Sequence, residues 1–560
     1  MNSPRSILLI AFLVVSFFLY QTWMVETAPG TERANQTSQT STSTDSNMPR
    51  ATSGGDSVPS ATNSSSSVPG SDNDISANSD RYVRVQTDVF DAIIDRRGGD
   101  IISAELMQFS RSLESDAKFQ LLHNQAGDVY IAQSGLIGAD GTDSNRGRPT
   151  FSTEKSEYTL TGDSLTIPMT FTTDDGSTIK KLFTFTRNSY AIDVAYEVTN
   201  ASDSAKTMQF YGQLKQSMNE GSGSMVMPTY RGAAYSSDNE RYEKYTFDDI
   251  KERSLNITTN EGWAGMLEHY FASAWIPRQS QENRLFTQTA SNNQAVIGII
   301  EPAKTIAPGQ TETFVSTLYA GPKDQDSMAE IAPHLDLTVD YGILWWLAQP
   351  LFKLLQFLHG IVLNWGLAIV LTTVIIKALL FPLTKAQYVS MAKMRMIQPK
   401  MQSLRERYGD DRQKMSQAMM KLYKEEKVNP IGGCFPMLLQ LPIFLALYWV
   451  LLESVELRHS PLFLWINDLS AKDPYYVLPI LMGISMFVMQ RLQPTPTADP
   501  MQQKLLTYMP VVFTVFFLWF PAGLVLYWLV SNLITIAQMQ IIYRGLEKKG
   551  LMVRGNRKKK

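Results

Sequence analysis

The chain holds a single cysteine, Cys434, in 560 residues, so no intramolecular disulfide and no cysteine-based metal site can be built from it. Histidine is nearly as scarce. His123, His269, His334, His359 and His459 are scattered without ligand-like spacing. No GxxxxGKS/T phosphate loop, HExxH helix or GxSxG elbow occurs, so nothing indicates nucleotide hydrolysis or metal chemistry, and no cofactor is expected. Acidic residues are absent from the interiors of the hydrophobic segments in the last third of the chain. That absence weighs against a proton relay or cation transporter, which needs carboxylates at membrane depth. Apolar residues are few between 26 and 80, where Ser, Thr, Asn, Asp, Gly and Pro dominate. Burial cannot offset the ordering entropy of such a stretch, which reads as a disordered tether.

What is present is unevenly distributed. The net charge of −2 averages a mildly acidic first two-thirds and a basic C-terminal region. Arg5 precedes a 19-residue apolar run, 7–25, that reads as a signal peptide or a signal anchor. The sequence VETAPG that follows offers no A-x-A cleavage site. The favoured reading is an uncleaved transmembrane anchor over 1–25 with a cytoplasmic N-terminus. From 81 to 335 the pattern becomes KKLFTFT, YAIDVAYEV, QAVIGII and ETFVSTLY. This period-two alternation of β-branched and aromatic residues, broken at Gly98-Gly99 and Asp174-Asp175-Gly176, predicts a large all-β sandwich. Trp263, Trp275 and Tyr270 are candidates for a binding cleft or for its core. The segment 340–359 includes Trp345, Trp346 and Lys353, with Pro350 interrupting it, and is expected to lie as an amphipathic helix at a membrane surface.

Charge sets the expected topology. If the first segment leaves the cytoplasm, the run 361–383 returns to it. Residues 384–429 then carry 11 Lys and Arg against 5 Asp and Glu, as a cytoplasmic loop should. Met391, Met394 and Leu404, then Met415, Met419, Leu422 and Tyr423, recur at helical steps around a Tyr408-Gly409-Asp410-Asp411 turn. A helical hairpin over 384–430 is expected. Segment 433–452 goes outward, the acidic stretch 453–474 lies outside, and 475–490 returns. The apolar block 505–542 is too long for one crossing, so a turn is expected at Phe520-Pro521-Ala522-Gly523. A basic tail over 543–560 ends in Arg554, Arg557, Lys558, Lys559 and Lys560. The fold class is thus a multidomain membrane protein. It combines an all-β domain at 81–335, an α-helical membrane core at 361–542 with six transmembrane helices in total, and a cytoplasmic helical hairpin.

The core carries polar residues that need a reason. Lys377 sits in an otherwise apolar run, at a cost on the order of 3 kcal/mol for a charge at membrane depth. It is either a snorkelling end residue or a functional cation, and spacing alone leaves both open. Thr373 and Gly366 fall on its helical face. Gln440 lies between Pro436 and Pro442. Tyr527, Ser531, Thr535 and Gln538 form a stripe with Asn532 beside it. Such stripes either make interhelical hydrogen bonds or line a shared wet cavity.

The stretches FPLTKAQYVSMAKMRMIQPKMQ (381–402), EKVNPIGGCFPMLLQLPIFLALYWVL (426–451), DPYYVLPILMG (473–483) and FFLWFPAGLVLYWLVSNLITIAQ (516–538) closely resemble the YidC/Oxa/Alb family of membrane protein insertases, in its Gram-negative type with a large periplasmic domain. The layout of anchor, tether, β-domain, five-helix core and basic tail resembles it as well. The resemblance implies a twisted periplasmic sandwich similar to mutarotase-like domains, in the inner membrane of a Gram-negative bacterium. It also implies a hydrophilic groove open to the cytoplasm and lipid. Lys377 matches the family's single groove cation, commonly arginine, keeping the charge and losing the bidentate fork. Thr373 matches a substrate-contact position. Trp528 matches another that is commonly tyrosine. Gln440, Trp519 and Asn532 match groove-lining positions. The resemblance further implies that the hairpin with Met391, Met394, Met415 and Met419 recruits substrate and that the basic tail faces the ribosome.

The expected function is therefore that of a non-enzymatic insertase and membrane chaperone. It would receive nascent inner-membrane proteins and release their transmembrane segments into lipid, alone or with the Sec translocon. Expected partners are nascent membrane proteins, the Sec translocon, the ribosome and anionic lipids, not DNA, with the signal recognition particle pathway left open. A secondary transporter would need paired intramembrane charges or an inverted repeat, and neither is visible. A carbohydrate enzyme built on the β-domain would need convergent carboxylates, which a sequence cannot display.

Overall fold

A computed structural model describes residues 80–144, 147–219, 229–290, 292–408, 411–426, 435–492 and 500–548. The expected anchor at 1–25, nearly all of the tether, and the tail beyond 548 lie outside the described residues.

The alternating runs form strands. Thr178–Thr186 and Ala191–Thr199 pair antiparallel, and both bury every second residue. Among the described residues, nineteen strands fall into an eleven-stranded and an eight-stranded sheet, packed through their apolar faces into a sandwich. Trp263 and Trp275 are wholly buried, which makes them core residues and not the rim of a cleft. Lys181 departs from the pattern. It occupies an inward position between Ile179 and Phe183, and its ammonium donates to the carbonyls of Gly98 (3.0 Å) and Gly99 (2.7 Å), in a turn between two strands of the opposing sheet, and of Ser134 (3.3 Å) within that sheet.

The helices are α1 (Phe247–Glu252), α2 (Gln325–Ile331), α3 (Trp345–Val362), α4 (Trp365–Leu379), α5 (Phe381–Tyr408), α6 (Arg412–Glu425), α7 (Phe435–Glu453), α8 (Val477–Leu492), α9 (Pro500–Phe516) and α10 (Ala522–Lys548). Pro350 does not interrupt α3, which runs through it and buries Ala348, Phe352, Leu355 and Leu358 at helical spacing while Trp345, Trp346 and Phe357 stay exposed. The apolar run 361–383 is not one straight helix either. Leu363 takes a left-handed φ of 53° and ends α3, and Asn364 caps α4 by accepting from the Leu367 N–H. At the far end α4 and α5 meet at a 60° bend. Pro382, which has no N–H to continue the ladder, lies just beyond the bend.

Among the described residues, α10 alone is long and apolar enough to cross a membrane unaided, and the bent α4–α5 pair passes the same test jointly. The apolar parts of α7, α8 and α9 are shorter. The break between the last two segments comes about three residues earlier than expected, as a 3₁₀ turn at Phe517–Trp519, and Ala522 and Gly523 already belong to the first turn of α10.

One apolar cluster runs without interruption from the eight-stranded sheet (Ala234, Trp263, Ala272) through Met328, Leu335 and Tyr341 into the helices (Phe352, Leu447, Leu526). Polar contacts reinforce this joint. His269 Nε2 donates to the Leu452 carbonyl at 3.0 Å, and Arg458 donates to the Ser110 carbonyl at 2.7 Å while lying over the Phe119 and Phe271 rings. Burial lowers the His269 imidazole to about 4, so the ring is neutral at pH 7 and its Nε2 carries the proton it donates. The β-domain therefore sits directly on one end of the helical part.

Candidate functional site

Lys377 lies in the last turn of α4, 6% exposed, and its ammonium donates to the Thr535 hydroxyl of α10 at 3.1 Å. The side chain is turned inward, which is not the posture of a snorkelling lysine. Among the described residues no carboxylate lies within 4 Å of it, so the charge is met by a hydroxyl dipole alone. Thr535 in turn donates to the Ser531 carbonyl, one turn back, at 2.7 Å.

The same region of α10 makes two more interhelical bonds. Asn532 donates its amide to Ser485 of α8 at 2.9 Å, both side chains buried, and the Ser485 hydroxyl donates to the Met482 carbonyl. Gln538 donates to the main-chain carbonyl of Lys377 at 3.0 Å. Polar residues from α4, α8 and α10 thus meet. Between them they make interhelical hydrogen bonds, the simpler of the two readings open to the stripes.

Towards the β-domain, Thr373 and Tyr527 line a small cavity with Leu355, Ile369, Thr372, Leu447 and Leu451. The Thr373 hydroxyl is spent on the Ile369 carbonyl, whereas the buried Thr372 hydroxyl has no partner among the described residues. Trp528, beside Tyr527, faces away into an aromatic cluster with Phe444, Phe513 and Phe517 at 4.5, 6.0 and 4.8 Å.

Other candidates lie elsewhere. Gly366 stands at the β-domain end of α4 against Leu462. Trp519 is 54% exposed on the turn between α9 and α10. Gln440 is half-buried on α7, with no hydrogen bond to Lys377 or α10 among the described residues. In the hairpin, Met394 and Met419 pack between α5 and α6 around Ile397, Met401 and Leu422, while Met391 packs against α10 and Met415 is half-buried. The exposed methionines of the hairpin are Met396 and Met420. Arg554, Arg557, Lys558, Lys559 and Lys560 lie outside the described residues.

The sequence reading passed over Ser485, Thr372 and the two exposed methionines. A helical wheel finds Met396 and Met420 off the apolar stripe, but nothing in the sequence says that Ser485 faces Asn532.

A β-sandwich seated on apolar helices, with one inward-turned lysine among polar side chains of three helices, defines a membrane protein with a large extramembrane domain. Residues 82–354 match the family described as YidC periplasmic domain, and residues 357–549 match the one described as 60Kd inner membrane protein. The membrane protein insertase YidC of Actinobacillus succinogenes is 52% identical over 98% of this chain and 99% of its own length. That of Haemophilus influenzae strain PittEE is 53% identical over the same shares. A solved active YidC insertase, with its first transmembrane domain resolved, covers 83% of this chain and 93% of that chain at 18% identity, with a TM-score of 0.36. The chain belongs to the YidC family of membrane protein insertases. Its function is membrane protein insertion. It is an inner-membrane protein with a periplasmic β-domain and a helical C-terminal part, and its clients are nascent membrane proteins.

Proposed function

We propose that Lys377 is the electrostatic centre of a groove between α4, α8 and α10, which receives the polar leading segment of a nascent protein before its apolar segment moves into lipid. One observation carries this reading. The ammonium is buried, held by Thr535, and has no carboxylate within 4 Å among the described residues. A buried cation without a counter-ion leaves an attractive site for acidic or carbonyl-rich peptide. Polar peptide entering hydrocarbon without partners costs several kcal/mol per group, and hydroxyl, amide and ammonium partners lower that cost. Release is driven by burial of the client's apolar surface at about 25 cal/mol per Å². Thr373, Tyr527, Ser531 and Asn532 belong to the polar path, with Gln440, Trp519 and Trp528 as further client contacts. No step needs a cofactor.

The topology proposed with it has six transmembrane helices, both termini cytoplasmic, the α5–α6 hairpin (384–430) cytoplasmic, and α3 along the membrane surface. The Lys and Arg excess of 384–429 and the exposed Trp345 and Trp346 support it. The 16 residues of α8 span roughly 24 Å, less than the ~30 Å hydrocarbon layer, and such mismatch favours a thinner bilayer beside the groove. The hairpin recruits clients, and the basic tail meets the ribosome and anionic lipid. Cooperation with the Sec translocon and with the signal recognition particle pathway belongs to the same proposal.

The test replaces Lys377 by alanine and by arginine and measures insertion of two clients differing only in acidic residues in the translocated tail. Loss confined to the acidic-tailed client in Lys377→Ala, with Lys377→Arg retaining it, supports the reading. Equal insertion of both clients in Lys377→Ala rejects it.

A further inference from the structure

The end of α4 is where the chain changes direction, and α10 grips both sides of the change. The last carbonyls of a helix have no partner within it, and Lys377 supplies one of them because α4 stops at Leu379. That carbonyl receives the Gln538 amide at 3.0 Å. Three residues earlier on α10, and so on the same face, Thr535 receives the Lys377 ammonium at 3.1 Å. The next residue after Gln538, Met539, is fully buried and packs with Ile542 and Leu546 against Tyr388 and Ala392 of α5, beyond the 60° bend. Gln538 itself is buried, and its Oε1 has no partner among the described residues. A buried amide with an unmet acceptor is costly, on the order of 1–3 kcal/mol, and an apolar side chain at position 538 avoids that cost. The bond from this amide to the end of α4 is what offsets that cost, and it points to a purpose beyond packing.

We propose that Gln538 is a positioning residue for Lys377, whose amide caps the last turn of α4 and so fixes the depth and direction at which the ammonium stands. The proposal rests on the role of Lys377 given above, and it goes beyond that role in naming what holds the lysine in place. Without the cap, the last turn of α4 frays. The Lys377 main chain is then free to rotate, and the hydrogen bond from its ammonium to Thr535 loses its fixed geometry.

Two measurements on full-length protein in membranes test this. The first is geometric. In a Cys434→Ser background, Lys377→Cys is labelled with a small thiol reagent, with and without Gln538→Met, which keeps side-chain length and removes the donor. Labelling about fivefold faster with Gln538→Met is expected, the opening equivalent of one lost hydrogen bond. Equal rates overturn the proposal whatever the insertion data show.

The second is functional, with Lys377 restored. Gln538→Met is expected to reduce insertion of the acidic-tailed client several-fold and to spare the neutral-tailed one. Added to Lys377→Ala it is expected to cause no further loss, as for two residues acting through one group. A loss shared by both clients and additive with Lys377→Ala makes Gln538 a packing residue and overturns the proposal. If labelling changes while Lys377→Ala itself inserts both clients normally, the positioning stands and the electrostatic role of Lys377 falls.

Discussion

Gly366 and Leu462 approach so closely that a methyl group on the glycine would fall 2.0 Å from the leucine Cδ1. The contact ties the first turn of α4 to the stretch between α7 and α8. Asn364 fastens the same junction by donating to the Pro461 and Leu462 carbonyls at 3.2 and 2.9 Å. Gly366→Val is expected to destabilise the helical part by about 1–3 kcal/mol, the usual cost of overpacking. Leu462→Ala in the same chain should recover part of the loss, because the clash is with a side chain. Thermal unfolding in detergent of the two single variants and the double variant checks this. A double variant no better than Gly366→Val rejects it.

The Asn532–Ser485 bond joins α10 to α8 inside an apolar surround. Ser485→Ala strands a buried amide and should cost about 1 kcal/mol. Replacing Asn532 by leucine as well should cost less than the sum of the two single changes, since both polar partners are then gone. A double-mutant cycle by chemical unfolding gives the coupling, which intramembrane pairs place near ~0.6 kcal/mol on average. Strict additivity would mean that the two side chains do not interact.

Lys181 gives the β-domain a pH signature. Burial lowers its ammonium to about 7, while the unfolded chain titrates near ~10.4. Between those values the unfolded chain holds the extra proton, so stability rises with pH across that window. Below about 7 both states are protonated, and the dependence from this group vanishes. Lys181→Met removes the rise. Urea unfolding at pH 7 and 9, read by hydrogen exchange over Thr178–Thr186, should show the variant losing a pH-dependent gain on the order of 2 kcal/mol. Parallel pH profiles for wild type and variant contradict the assignment.

Arg458 reaches from the stretch after α7 to the Ser110 and Arg111 carbonyls and lies over the Phe119 and Phe271 rings. Arg458→Ala should leave each part folded and loosen their joint. Faster proteolysis between the β-domain and α3, with unchanged exchange in the strand cores, is the expected outcome. Unchanged proteolysis would mean that the apolar cluster alone holds the joint.

In the hairpin, two pairs of methionines should separate. Met396 and Met420 are 53% and 58% exposed, whereas Met394 and Met419 pack between α5 and α6. Serine at the exposed pair should weaken client crosslinking to the hairpin and leave its stability unchanged, because an exposed thioether is an adaptable contact. Serine at the packed pair should destabilise the hairpin instead. Identical phenotypes would show that exposure does not distinguish them.

Sequence alone determined whatever depends on near neighbours and on solvent preference. Alternation gave the strands, as in Thr178–Thr186, because the pleat puts successive side chains on opposite faces. Helical spacing gave the two helices α5 and α6, and the motifs of the last third gave the family. The sequence also identified Lys377 as an anomaly, since a cation in an apolar run is unusual wherever it ends up.

Tertiary structure decided what those residues meet. Lys377 and Thr535 are far apart in the chain and become partners only when α4 packs on α10. Gln538 belonged to a polar stripe, but only the ending of α4 at Leu379 opens a carbonyl for it. Lys181 occupied an inward strand position, and whether that was tolerable depended on three carbonyls across from it, one in the opposing sheet and two in a turn between two of its strands. The 60° bend that divides the expected single crossing depends on packing to either side of it, with Gln538 against α4 and Met539 against α5. Periodicity reports which face of an element turns inward. It does not report what stands across from that face, and the partner across the interface is what turns a costly buried polar group into a working one.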